Sequence, residues 1–270
     1  MSSIQIPGIC DSDGVVVQSE TQTKKEQSKK YKLALDFLDG SITIVECTNG
    51  RELDQYLYRE LQELTEAEVN VLGTEIADHA YDENLDIHCE RCNKFYRPYC
   101  RLHPLFKIPD RVFKPDPARK GGKTYSEQTL PVLFNIEKSK LPNAGLGVVA
   151  TAFIPIGMVF GPYKGVRCQK KSEFHKDGYA WVIRSGDKRC YIDGSDPERS
   201  NWLRYINSPR HDDEQNMIAF QTNGKIFYRV VKPVRIGQEL LVYYGGSYGE
   251  EFVYSDDEKP KKSGKNPFIR

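Results

Sequence analysis

The feature that most constrains the fold of this 270-residue chain is a succession of short apolar segments between Leu130 and about Phe252. They read PVLFNIEKS, LGVVATAFI, GMVFGPYKG, YAWVIRSG, RCYIDG, MIAFQTNGKIFYRVV and QELLVYYG, with Gly, Pro, Asn or Asp between them. Segments of this length and spacing are typical of strands joined by turns. The Asn223-Gly224 pair between two alternating runs predicts a type I′ hairpin. Only SNWLRYINS and a stretch near residues 168–176 could form short helices, so the region predicts a mainly β fold of the α+β class.

Upstream of this region the chain predicts two further parts. Residues 1–30 are rich in Ser, Gln, Lys, Glu and Asp and are expected to be disordered. Residues 31–84 predict a small unit in which a hairpin around Asp39-Gly40 is followed by a helix. The helix is indicated by leucines at the spacing of one helical face, namely Leu53, Leu57, Leu61 and Leu64. We expect this unit to serve in packing or dimerisation.

Composition excludes several classes of protein. The net charge of +1 argues against a protein whose main activity is non-specific DNA binding, because such domains usually carry a strong basic excess. No apolar run approaches the roughly 18 residues of a membrane span, and the N-terminus lacks the pattern of a signal peptide. We therefore expect an intracellular protein with no membrane partner, in which the seven cysteines are reduced. The charged tail, residues 253–270, is expected to be solvated, the alternative being a nuclear-import or nucleosomal-DNA patch.

Four potential metal ligands lie close together at Cys89, Cys92, Cys100 and His103, with the spacing C-x₂-C-x₇-C-x₂-H. Two residues between ligands let both side chains reach one tetrahedral Zn²⁺ ion, and that spacing occurs twice here. A redox-active or incidental CxxC is the alternative, but no βαβ pattern surrounds it. Four ligands leave no position for water, so we predict a structural zinc site. The remaining cysteines, Cys10, Cys47, Cys168 and Cys190, are expected to be packing residues.

Three stretches of the β region carry more glycine, tyrosine and polar residues than packing requires. Gly145 and Gly147 flank Leu146, where glycine permits positive φ or close backbone approach, although a turn explains this pair equally well. The segment NWLRYINS is apolar but ends in Asn207 and Ser208. The segment ELLVYYGG places tyrosines directly after an apolar run.

Taken together and in this order, these motifs resemble the PR/SET branch of the SET-type protein lysine methyltransferases, the PRDM family. The segments FGPYKG, GYAWVI, NWLRYIN and GKIFYRVVKPVRIGQELLVYYG are similar to those of its meiotic recombination-hotspot member. The resemblance covers residues 85–252 and implies a zinc knuckle and linker over residues 85–128 and a PR/SET catalytic domain over residues 129–252. It implies a β-clip fold with a knot-like C-terminal crossing that brings RYINS and ELLVYYG together. S-adenosylmethionine and the lysine substrate would enter from opposite faces.

The resemblance also implies roles for individual residues. Tyr244 is expected to be the catalytic tyrosine, with Tyr163 and Tyr228 beside it in the lysine channel. The cofactor is expected to contact Ala144, Gly145, Leu146, Tyr179, Asn207 and Ser208. The peptide groove is expected to comprise Lys176, Asp177, Gly178, Tyr179, Ala180, Trp181 and Val182, together with Tyr244. For Tyr243 and Tyr248 we prefer a packing role.

The function implied by the resemblance is methylation of histone H3, at lysine 4 and as a second target lysine 36, by a nuclear chromatin and transcription regulator connected with meiosis. The partner would be the H3 tail or nucleosome. No zinc-finger array is present in the sequence, so we expect no sequence-specific DNA binding by this chain. Most SET enzymes carry a histidine after the motif asparagine, whereas Asn207 is followed by Ser208-Pro209. That difference leaves a catalytically silent chromatin adaptor as the alternative. A zinc-knuckle nucleic-acid binder is disfavoured by the near-neutral charge.

Overall fold

The computed structural model describes residues 31–36, 41–46, 52–57, 73–82, 84–111, 122–169, 178–185 and 188–244. Outside them lie the predicted disordered segment 1–30, the Asp39-Gly40 turn, Tyr248 and the predicted tail. Within these ranges the strands are β1 (Tyr31–Asp36), β2 (Ser41–Glu46), β3 (Glu52–Leu57), β4 (Thr74–Ile76), β5 (Ile87–Cys89), β6 (Lys94–Arg97), β7 (Phe106–Ile108), β8 (Phe134–Lys138), β9 (Leu146–Ala150), β10 (Met158–Phe160), β11 (Val166–Cys168), β12 (Ala180–Ser185), β13 (Lys188–Asp193), β14 (Met217–Thr222) and β15 (Lys225–Val230). The helices are α1 (Tyr125–Gln128) and a 3-10 helix, η1 (Trp202–Tyr205).

The predicted hairpin is confirmed and lies in the largest sheet. β14 and β15 pair antiparallel up to Thr222↔Lys225, and the two turn residues have φ of 48° at Asn223 and 63° at Gly224. Positive φ at both central residues is the signature of a type I′ turn. The sheet continues with β10, antiparallel to β15, and β7, parallel to β10, in the order β14-β15-β10-β7.

Among the described residues after position 122, two small antiparallel sheets and the helix η1 pack beside this sheet. β8 pairs with β9, and β11, β13 and β12 form a sheet in that order. The predicted short helix within SNWLRYINS is present as η1, and its Trp202 is fully buried, stacked on Phe134 with ring centroids 5.1 Å apart. The Trp202 indole donates to Asp110 over 3.0 Å. Of the other predicted helix, near residues 168–176, Cys168 ends β11 and residues 170–177 lie outside the described part.

The segment around Glu239 to Val242 runs between two parts of the domain. Leu240 donates its backbone N–H to Val148, whereas Leu241 forms a parallel bridge with Asn207 and Val242 one with Met217. The predicted adjacency of RYINS and ELLVYYG is therefore confirmed. The segment forms isolated bridges and not the regular strand that QELLVYYG indicated, because its backbone groups are shared among several partners. The knot-like crossing remains a prediction.

The N-terminal unit differs from the prediction. β1 and β2 form the expected antiparallel pair, but residues 52–57 form the strand β3 beside β2 where a helix was predicted. A separation of four residues, as from Leu53 to Leu57, fits the two-residue period of a strand as well as a helical turn. The backbone hydrogen-bonding groups of β3 pair with those at the open edge of β2, and this tertiary pairing overrides helix propensity. Residues 58–64 of the predicted helix lie outside the described part.

The end of the predicted linker forms a helix that the sequence analysis did not anticipate. Thr124 caps α1: its side chain accepts from the Glu127 backbone, while the Glu127 carboxylate accepts from the Thr124 N–H over 2.7 Å. This is a capping box, and the pattern Thr-x-x-Glu was a local signal for it. β7, which also falls within the predicted knuckle and linker, is part of the main sheet. The helices in the described ranges are all too short and too polar to cross a bilayer.

Candidate functional site

Four aromatic side chains from separate parts of the fold meet in one cluster. Tyr163 follows β10, Trp181 lies in β12, Tyr228 in β15, and Tyr244 follows the bridged C-terminal segment. Ring centroids lie 5.7 Å apart between Trp181 and Tyr228, 5.8 Å between Trp181 and Tyr244, and 6.1 Å between Tyr163 and Tyr228. We call these four residues the aromatic cluster. The three tyrosines assigned to the lysine channel are thus brought together, and Trp181, assigned to the peptide groove, joins them.

The hydroxyl groups of the cluster are held by specific partners. The Trp181 indole donates to the Tyr228 hydroxyl over 2.7 Å, the Tyr163 hydroxyl donates to the Tyr179 carbonyl over 2.8 Å, and the Tyr244 hydroxyl donates to the Ile206 carbonyl. Burial, together with the neighbouring Tyr163 and Tyr244, raises the pKa of Tyr228 well above 10.0, although the hydrogen bond from Trp181 opposes this. The Tyr228 hydroxyl therefore stays protonated.

A second group of predicted residues meets at Asn207. Its Nδ2 donates to the Leu146 carbonyl over 3.0 Å and to the Glu239 carboxylate over 2.9 Å. Gly145, just before Leu146, has φ of 70° and open space where a side chain would begin. The bond from Tyr244 to Ile206 joins this Asn207 group to the aromatic cluster, since Ile206 immediately precedes Asn207.

Other predicted site residues have more varied surroundings. Tyr179 stacks with the Arg204 guanidinium 4.4 Å from its ring centroid, and Ser208 and Ala144 are half-buried. In β12, Ala180 pairs with Asp193, and Val182 is 38% exposed whereas Ile183 is buried, as strand alternation requires. Gly178 has φ of 86° and begins the described stretch; Lys176 and Asp177 lie outside it.

Two polar residues that the sequence analysis missed organise the Asn207 group. Glu239 is buried and accepts from Ser139 as well as from Asn207. Asn216 donates to the Glu239 carbonyl over 2.8 Å and accepts from the Leu241 N–H over 2.9 Å, which holds the C-terminal segment by its backbone. The available signal was weak: a single charged residue directly before the apolar run LLV.

The four predicted metal ligands converge. Cys89 ends β5 and Cys92 lies in the turn to β6, while Cys100 and His103 follow β6. Their ligand atoms all lie within 4.8 Å of one another, with Cys92 Sγ 3.7 Å from Cys100 Sγ. The His103 Nδ1 atom lies 3.4, 3.3 and 3.6 Å from the Sγ atoms of Cys89, Cys92 and Cys100. The cluster has the donor set and closeness of a metal site. β4 pairs with β6, so the knuckle sheet begins before the predicted boundary at residue 85.

Comparison with known proteins identifies the family. Residues 134–255 match the family model for the PR domain of PR domain zinc finger protein 2. Histone-lysine N-methyltransferase set-17 of Caenorhabditis elegans is 66% identical over 270 residues, which is 100% of this chain and 94% of that protein. Histone-lysine N-methyltransferase PRDM7 of Homo sapiens is 38% identical over 194 residues, 68% of this chain and 38% of that protein.

Among solved structures, the methyltransferase domain of human PR domain-containing protein 2 is 33% identical, covers 46% of this chain and 88% of that chain, and superposes with a TM-score of 0.41. The assignment rests on the sequence matches, above all on the relative matched along the whole chain. The chain belongs to the PRDM family of PR/SET-domain histone-lysine N-methyltransferases.

Proposed function

We propose that this protein transfers methyl groups from S-adenosylmethionine to a lysine side chain of histone H3. The observation that carries the proposal is the aromatic cluster, in which Tyr163, Trp181, Tyr228 and Tyr244 meet beside the Asn207 group. The two relatives named as histone-lysine N-methyltransferases support this substrate class.

The residues around Asn207 fit S-adenosylmethionine. Because Nδ2 of Asn207 donates to Leu146 and Glu239, Oδ1 lies on the opposite side of the planar amide. A carbonyl oxygen accepts hydrogen bonds, and the cofactor carries donors in its ammonium and adenine amino groups. We propose that Asn207 and Ser208, the turn of Ala144, Gly145 and Leu146, and Tyr179 hold the cofactor, which when bound supplies an electrophilic methyl group.

The aromatic cluster has the properties needed to prepare a lysine side chain. The amine must be neutral to act as a nucleophile, and burial away from water lowers a lysine pKa. Aromatic faces stabilise the cationic forms of the amine before proton loss and after methylation. The hydroxyl oxygens of the tyrosines can accept hydrogen bonds from the N–H groups of the amine, which orients its lone pair. We propose that Tyr244 contacts the reacting amine, that Tyr163 and Tyr228 line its channel, and that residues 176–182 contact the peptide.

We propose lysine 4 of H3 as the main target and lysine 36 as a second, on the resemblance of the FGPYKG and GYAWVI motifs. The proposed partner is the H3 tail within the nucleosome. The corresponding location is nuclear chromatin, with a role in transcription and meiosis.

We propose that Cys89, Cys92, Cys100 and His103 bind a structural Zn²⁺ ion. Thiolates about 2.3 Å from a tetrahedral zinc ion lie about 3.8 Å apart, and a thiolate and an imidazole nitrogen about 3.5 Å apart. The observed Cys92–Cys100 distance of 3.7 Å and the His103 distances of 3.3 to 3.6 Å agree with this geometry.

The test is methyl transfer by the full chain, loaded with zinc, from labelled S-adenosylmethionine to histone octamers. Octamers in which lysine 4 or lysine 36 of H3 is replaced by arginine identify the target. Tyr244→Phe is expected to lower the rate on the order of 100-fold, because it removes one hydroxyl that orients the amine. Tyr243→Phe, the neighbouring tyrosine for which we prefer a packing role, is the matched control and is expected to stay within about twofold.

A catalytically silent chromatin adaptor is the second candidate, favoured by the Ser208-Pro209 sequence in place of a histidine after Asn207. Cofactor binding by the wild type without methyl transfer supports the adaptor. If zinc-loaded wild type produces no labelled histone above background, the proposed methyltransferase activity is rejected.

A further inference from the structure

Glu239 is a buried carboxylate on which three hydrogen-bond donors converge. Its side chain is 8% exposed. Ser139 Oγ lies 2.8 Å from Oε1 and 3.0 Å from Oε2, the Lys140 N–H donates to Oε2 over 3.3 Å, and Asn207 Nδ2 donates to Oε1 over 2.9 Å. Burying a carboxylate is costly unless its oxygens are satisfied, so this arrangement is specific.

The donors come from two segments that are distant in sequence. Ser139 and Lys140 begin the turn between β8 and β9, and Asn207 follows η1. Ser139 also ties the turn together, since its N–H donates to the Gly145 carbonyl over 2.9 Å. Glu239 therefore joins both segments that the proposed function assigns to cofactor binding.

Gly147 shows how closely these segments approach. A Cβ atom at this position would lie 2.2 Å from Glu239 Oε1 and 3.2 Å from Asn207 Nδ2. Only glycine leaves room for the carboxylate beside the Asn207 amide. The contact between Glu239 and Asn207 therefore depends on the glycine in β9 as well as on the two side chains.

We propose that Glu239 is a positioning residue for the cofactor site, acting mainly through Asn207. This inference rests on the proposed function. Glu239 and the Leu146 carbonyl accept both hydrogens of Nδ2, which holds the amide in one orientation and directs Oδ1 to the side where a cofactor donor would bind. Without the carboxylate the amide is free to rotate, and a donor can then face the cofactor.

A glutamine at position 239 cannot accept from both the Asn207 amide and the Lys140 N–H. Its side chain has nearly the same shape, but one oxygen becomes an NH₂ group that only donates. If the NH₂ group faces Asn207, two donors oppose each other unless Asn207 flips. A flipped Asn207 places Oδ1 against the Leu146 carbonyl. If the NH₂ group faces Lys140, the backbone N–H of the turn loses its acceptor.

The experiment compares Glu239→Gln with Glu137→Gln in the full zinc-loaded protein. Glu137 lies on the same hairpin, is exposed, and accepts from Asn135. Glu239→Gln is expected to raise the Kd for S-adenosylmethionine on the order of 10-fold by calorimetry. At saturating cofactor, kcat and the KM for a histone H3 peptide are expected to stay within about twofold. Glu137→Gln is expected to match the wild type in all three.

A double variant separates positioning from a purely structural role. In an Asn207→Ala background, Glu239→Gln is expected to change the Kd by less than about threefold, because the residue it positions is gone. Equal effects of Glu239→Gln in both backgrounds would overturn the inference, as would an unchanged Kd in the single variant. If Glu239→Gln does not fold, Ser139→Ala replaces it, with an expected Kd rise of about threefold and unchanged kcat; an unchanged Kd there also overturns the inference. Failure of the wild type to bind cofactor would instead reject the proposed function.

Discussion

The chemistry proposed for the aromatic cluster depends on the protonation of its hydroxyls. Tyr228 is 1% exposed and its oxygen accepts from Trp181, so its own hydrogen is available for a further bond. A tyrosinate here would be an anion in an apolar site beside two other tyrosines. The cluster therefore favours neutral hydroxyls around the amine of the substrate.

We predict that Tyr228 does not ionise below pH 10. Burial raises its pKa well above 10.0, so the folded state holds this proton more tightly than the unfolded state. The stability associated with the neutral hydroxyl is fully present below pH 10 and is lost as pH rises through the raised pKa. Tyrosinate absorbance of wild type and Tyr228→Phe is expected to coincide from pH 7 to about pH 10. A wild-type transition in this range that Tyr228→Phe lacks would contradict the prediction.

Single site residues could be predicted from the sequence where they belonged to a motif. They could not be predicted where their burial depends on residues that are distant in sequence. Tyr163, Tyr228 and Tyr244 were found through the resemblance, and the fold brings them together. Glu239 could not be identified, because its burial depends on Ser139, which lies 100 positions away. Its charge alone resembles that of any surface glutamate.

Among the elements, the best-predicted ones have local causes. The Asn223-Gly224 turn could be predicted because these two residues tolerate positive φ. The convergence of Cys89 and Cys92 could be predicted because two intervening residues are the spacing that ligands of one metal ion require. β3 and β7 could not be predicted, because each is defined by a neighbour: β3 pairs with β2, and the three-residue β7 lies parallel to β10. The leucine spacing of residues 53–64 is ambiguous in isolation.

We predict that the β5–β6 hairpin depends on the proposed zinc ion. Removing zinc with a chelator is expected to lower the melting temperature by more than about 5 °C, because the folding free energy of a structural site includes metal binding. Differential scanning calorimetry measures the change. Cys92→Ser is expected to melt lower and to show little further response to the chelator, while Cys190→Ser, outside the cluster, is expected to respond like the wild type. A chelator-independent melting curve of the wild type would contradict a structural metal.

Across the whole molecule, the knuckle, formed by the sheet β4-β6-β5 and the Cys/His cluster, packs directly on the main sheet, β14-β15-β10-β7. Apolar residues from both parts form one buried group, namely Ile87, Tyr99 and Leu105 with Val159, Phe220 and Phe227. Asn84 accepts from the backbone of Gly224 over 3.0 Å and from the Gln221 side chain over 2.7 Å, which joins it to the β14–β15 hairpin. The knuckle is therefore expected to unfold together with the PR/SET domain.

An ion pair crosses this same contact. Arg229 of β15 is 2% exposed, lies over the Phe220 ring and donates to the Glu90 carboxylate of the knuckle. Its Nε is buried and has no hydrogen-bond partner among the described residues, so Glu90 supplies the main compensation for a buried cation. Burial would raise the pKa of Glu90, but Arg229 and the hydrogen bond with His88 outweigh it and lower the pKa below 4.5.

Glu90→Gln is expected to destabilise the whole molecule by about 1–3 kcal/mol, because it leaves the Arg229 guanidinium buried without a counter-charge. Denaturant unfolding at pH 7 measures the loss. Glu75→Gln is the matched control: its pair with Lys94 is about half exposed on both sides, so the change is expected to stay below about 1 kcal/mol.

Since the folded-state pKa of Glu90 is lowered, its contribution is present above pH 4.5 and is lost as pH falls through the lowered pKa. The difference between wild type and Glu90→Gln is therefore expected to shrink as the pH falls below 4.5. A difference that is absent at pH 7, or that grows as the pH falls below 4.5, would show that the knuckle is not held to the main sheet by this pair.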